Sequence, residues 1–126
     1  MLHIVDSAKT VREAERDFSL AAQRHKFGVL GTYDLRQKMN DKGVPFERDC
    51  IIVEVCNPGQ ARQVLSADMT ISTALPCRVS IYPENGRTKL ATISPTALLE
   101  MFKQARLAPV AAEVERELFA AMSEAA

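Results

Sequence analysis

Asp49-Cys50-Ile51-Ile52-Val53-Glu54-Val55-Cys56-Asn57-Pro58 is the stretch on which the fold turns. Ile51, Val53 and Val55 form one β-branched face, and Cys50, Ile52, Glu54 and Cys56 form the other, a period of two that predicts a strand. Asn57 is a good helix N-cap and Pro58 suits the first helical position, so the strand passes directly into a helix. Ala61, Val64 and Leu65 supply that helix's apolar stripe. Towards the N-terminus, Phe27 to Tyr33 reads as a strand with Phe27, Val29 and Gly31 on one face. Asp34 with Gln37 caps a short helix that turns Leu35 and Met39 inward and that Gly43 stops. Earlier still, Thr10-Val11-Arg12-Glu13 has capping-box form and opens a helix to about Arg24, while Leu2 to Val5 is a short β-prone run. Towards the C-terminus, Cys77 to Tyr82 and Thr88 to Ile93 alternate around Asn85-Gly86, a hairpin signal. Ser94-Pro95 and Pro109 open two more helices, the last spanning about 109–124. Helices regularly interrupt strands, which predicts a single α/β (α+β) domain over residues 1–126, with helices packed in a second layer on one sheet that includes a hairpin.

The composition supports a globular domain and excludes several classes. A length of 126 residues suits one domain, and 47% hydrophobic residues rule out intrinsic disorder. Sixteen basic against sixteen acidic residues give zero formal net charge, which argues against a nucleic-acid binder. No apolar run is long enough for a membrane helix, and the first residues lack the pattern of an export signal. Three cysteines, an odd count, fit a reduced compartment. A cytoplasmic protein is expected.

Four landmarks together carry a resemblance: Phe27-Gly28-Val29-Leu30 with Tyr33-Asp34-Leu35, then Cys56-Asn57-Pro58, then Leu75-Pro76-Cys77, then Ile93-Ser94-Pro95. In this order the chain resembles the bacterial and archaeal family called domain of unknown function 302, over a core of about residues 1–102, with the last helix beyond it. Two departures show: Lys26-Phe27 stands where relatives often have Gly-Phe, and Ser94 stands where they have an acidic residue. The resemblance implies a two-layer α/β domain, commonly a homodimer. It implies no reaction.

Cys56-Asn57-Pro58 is the most suggestive element for chemistry. A thiol at a helix start lies near unpaired amides and the positive end of a dipole, which lowers its pKa; the bland alternative is a small core residue. Cys77 would meet Cys56 if their two strands run antiparallel as neighbours, and would lie far away after a parallel crossover. Two thiols make half a zinc site, so no metal site is assigned, and a metal or haem would need further ligands. Glu54 could act as an acid or base if it faced the interior, or could pair with Arg78. Asp34 reads as an N-cap, with ligand contact as the lesser role. His3 and His25 are the only histidines. Phosphate-binding glycine loops and a nucleophile elbow are missing, so enzyme status stays open. Three readings follow in order. The first is a homodimeric domain that binds or senses a small ligand, a small molecule or anion, near Cys56-Asn57-Pro58 and Leu75-Pro76-Cys77. The second is a thiol-based redox, sulfur-handling or metal- or haem-binding protein using Cys56 and Cys77. The third is a protein-interaction module.

Overall fold

The computed structural model describes residues 1–126. The core strand predicted at the centre of the sequence forms as β3 (Ile51–Cys56), and Ile51, Val53 and Val55 are all buried. In chain order the elements are β1 (Leu2–Ser7), α1 (Val11–Arg24), β2 (Gly28–Asp34), α2 (Leu35–Asp41), β3, α3 (Pro58–Ala67), β4 (Cys77–Glu84), β5 (Arg87–Ile93), α4 (Pro95–Glu100) and α5 (Ala108–Ala125). Short 3-10 turns at Met69–Ala74 and Ala105–Leu107 precede β4 and α5. The strands form one antiparallel sheet in the order β1-β5-β4-β3-β2. This settles the strand order that sequence left open: α3 and its 3-10 turn return the chain antiparallel beside β3, with Val55 opposite Cys77.

Local signals explain the element ends. Thr10 and Glu13 close a reciprocal capping box on α1, with the Thr10 hydroxyl accepting from the Glu13 amide at 3.1 Å and Glu13 accepting from the Thr10 amide at 2.9 Å. That helix ends in a Schellman arrangement: the Phe27 amide donates to the Ala22 carbonyl and the Lys26 amide to the Gln23 carbonyl. Lys26 takes the left-handed position there, at φ 68°, which glycine occupies without steric cost. Asn85 and Gly86 both have positive φ, as the tight β4–β5 hairpin requires.

One sheet face is covered. Phe18, Ala21 and Ala22 of α1 and Leu118, Ala121 and Met122 of α5 pack with Val53, Val55, Val79, Ile81 and Leu90 in one core. Each large side chain buried there contributes about 1.5–3 kcal/mol before entropy is subtracted. The other face presents cross-strand rows such as Tyr33–Ile52–Ser80–Ala91–Ile4. Leu2, Ile4 and Ile93 stand exposed on it. One expectation needs correcting. Simple alternation predicts Gly31 on the face of Phe27 and Val29, but a bulge at Leu30 shifts the β2 register, so Gly31 pairs with Glu54 on the open face. A Cβ at Gly31 would meet the Tyr33 hydroxyl at 2.7 Å, so the ring lies closely over the glycine.

Candidate functional site

The antiparallel return brings the ends of β3 and β4 together beneath α3, α4 and α5. Between them lies a cavity of about 80 Å³. Cys56, Asn57 and Gln60 come from the β3–α3 junction, Leu75 from the end of the 3-10 turn, Cys77 from the start of β4, and Leu98, Leu99 and Phe102 from α4 and its end. Val110, Ala111 and Val114 of α5 close the far side. Of the 18 lining residues 15 are hydrophobic and none is charged, so the chamber suits an apolar occupant.

Asn57 caps α3 as expected, its Oδ1 accepting from the Gln60 amide at 3.0 Å. Its side-chain amide donates to no protein atom, and the Gln60 side chain likewise has no protein partner. The walls decide the chemistry of the two thiols. Sequence position predicted a depressed pKa at Cys56; instead burial pushes that thiol above its ordinary value. Cys77, more deeply enclosed, is pushed up to about 11, by burial first and by the nearby Cys56 second. Both are protonated at neutral pH, because burial moves each of them upward. The third thiol, Cys50, lies apart, 3.8 Å from the Ser80 hydroxyl.

Glu54 and Asp34 do not reach the chamber. Glu54 is on the open face, where Arg78 Nε donates to it at 2.9 Å. The same carboxylate, close to the Tyr33 hydroxyl, holds the phenol above its usual pKa. Asp34 caps α2 by accepting from the Gln37 amide at 3.0 Å and pairs with Arg12 at 2.7 Å. That amide first, and Arg12 second, hold its carboxyl below the usual range. His3 stacks on Phe119 with ring centroids 3.6 Å apart, and its Nε2 is buried without a partner. His25 bridges α1 to α5, one ring nitrogen 2.5 Å from Glu117 and the other 2.7 Å from Glu124. No group of three or more His, Cys, Asp or Glu side chains is placed to hold a metal ion. No helix is long and apolar enough to cross a membrane.

Sequence reasoning named Cys56, Asn57 and Cys77 at this site and missed Gln60 and the walls. A signal for part of the wall exists in the sequence, because Ala61 and Val64 belong to the apolar stripe of α3. The convergence of the walls is a long-range property of the fold.

A five-stranded antiparallel sheet, two long helices on one face and an apolar chamber at one end define a small α+β domain with a hydrophobic pocket. The chain belongs to the family described as domain of unknown function DUF302, whose pattern matches residues 3–125. The matched span includes α5, so the helix closing the chamber lies inside the family pattern. A solved structure, the uncharacterized conserved protein DUF302 from Bacillus stearothermophilus, is similar throughout: TM-score 0.94 and 31% identity, covering 99% of this chain and 98% of that one. No curated protein matches.

Proposed function

We propose that this chain is a cytoplasmic, homodimeric domain that binds or senses a small apolar molecule in the chamber beneath α3, α4 and α5. The observation that carries the reading is the chamber itself: an uncharged hydrophobic cavity at the junctions of Cys56-Asn57-Pro58 and Leu75-Pro76-Cys77. A volume near 80 Å³ is roughly half that of an engineered 150 Å³ cavity that binds benzene, so the occupant is small or the walls part to admit it. The apolar walls favour such a ligand over the anion suggested by the helix start alone. For the dimer, the supporting feature is the uncovered sheet face, where Leu2, Ile4 and Ile93 are 71%, 46% and 49% exposed. Three free thiols fit a reducing compartment.

Methyl-resolved NMR during a toluene titration tests the site. Shifts confined to Val64, Leu98, Leu99, Val110 and Val114 are expected; no shift, or shifts spread over the open face, would remove the reading. Sedimentation of the wild type beside Ile4→Asp tests the dimer, which the variant should split. A thiol-based alternative has one observation behind it, the placement of Cys56 and Cys77 in one chamber. Loss of two hydrogens from that pair on mild oxidation would favour it.

A further inference from the structure

The chamber is not uniform, and its polarity is confined to one place. Asn57 is the N-cap of α3 and Gln60 its third residue, and both line the chamber. They are the only amide-bearing side chains in the lining, and neither has a hydrogen-bond partner for its free amide group in the protein. Neither is sealed from solvent, so neither is a buried polar group left unsatisfied by the fold. The Asn57 Oδ1 is committed to capping, which leaves its NH₂ as a donor, while the Gln60 amide offers both a donor and an acceptor. The thiols of Cys56 and Cys77 beside them are held protonated, so they add no charge.

We propose that the chamber selects neutral molecules with a hydrocarbon body and one hydrogen-bonding head of the alcohol, aldehyde or amide type, with the head read by Asn57 and Gln60. The proposal rests on the ligand-binding reading given above and names the class of ligand. An ionised head would enter a lining without a counter-charge and is rejected. A bare hydrocarbon fits the walls and leaves the two amides facing it. The space is roughly half that of a cavity that takes benzene, so the ligand is small or enters as the walls part.

Three probes of nearly one shape separate these cases: toluene without a head, benzyl alcohol with a neutral head, and benzylammonium with a charged one. Affinities are read by NMR titration of the full chain and of Gln60→Leu, with Gln60→Met as a second variant that keeps side-chain length. In the wild type, benzylammonium should bind at least tenfold more weakly than benzyl alcohol. In both variants benzyl alcohol should weaken by roughly two- to twelvefold, the worth of one neutral hydrogen bond, while toluene holds or tightens. Equal loss for toluene and benzyl alcohol, no loss for either, or benzylammonium binding as well as the alcohol would overturn the head-group proposal and leave the apolar chamber standing. No binding of any probe would instead overturn the chamber reading itself.

Discussion

Replacing Ala61 by Leu should stabilise the protein and abolish ligand binding together. Ala61 lines the chamber from α3, and leucine adds three carbons that point into it. At about 24 cal/mol per Å³ of cavity, filling all 80 Å³ would recover at most about 2 kcal/mol. Ordering the leucine side chain costs about 0.5–1 kcal/mol, so the expected net gain is about 1 kcal/mol. For a chain of this length that corresponds to a rise of roughly 3–5 °C in Tm. The wild type should gain about 1.4 kcal/mol in toluene at ten times its Kd, and the variant should gain nothing. Urea unfolding with and without toluene measures both effects on the same samples. A variant less stable than wild type by more than about 1 kcal/mol would show walls too rigid to accept the side chain. A toluene effect that survives the substitution would refute the location of the site.

Lys26→Gly should stabilise by about 0.5–1 kcal/mol, because φ 68° at that position strains a lysine but not a glycine; unchanged or lower stability in urea would refute the strain. His25 should make stability depend on pH. The Glu117 contact first, and Glu124 after it, raise the His25 pKa above its unfolded value, so its contribution is complete below the ordinary histidine pKa and fades as pH rises through the raised one. Glu117 is lowered, chiefly by His25, and its contribution fades as pH falls through that lowered value. Urea midpoints from about pH 5 to about pH 9 should therefore fall on the alkaline side in the wild type and flatten there in His25→Ala; parallel curves would show that the bridge contributes nothing. Iodoacetamide should modify Cys77 at a rate that climbs until about pH 11, and labelling at pH 8 as fast as a free thiol would contradict its enclosure.

Much of the fold can be read locally. Asn57-Pro58, Thr10 with Glu13, Asp34 with Gln37, and Asn85-Gly86 each bond or turn within a few residues, and every one of them does in the structure what its local chemistry predicts. Strand order is different, because a helix between two strands is compatible with a parallel crossover or an antiparallel return. Nothing in residues 58–76 distinguishes the two. The Leu30 bulge is also invisible, since Phe27 to Tyr33 alternates well enough to be read straight through, and its effect is to move Gly31 and Tyr33 onto the face of Glu54. Glu54 shows the reverse: sequence allows it an interior position or a pairing with Arg78, and cross-strand register selects the pairing.

The same argument explains why the cysteines and the chamber compete as explanations. A helix start favours a thiolate, and this favours it only while solvent or a cation can share the charge. Here Phe102, Val110 and Val114 arrive from more than forty residues away in sequence to wall off the junction. Their arrival removes water, and burial then raises the pKa of Cys56 and, more strongly, that of Cys77. Each added apolar wall that improves the pocket for a hydrocarbon weakens both thiols as nucleophiles. The geometry that makes the junction a binding site is therefore what disarms its sulfur chemistry, and a redox role would need those walls to move away before the thiols could act.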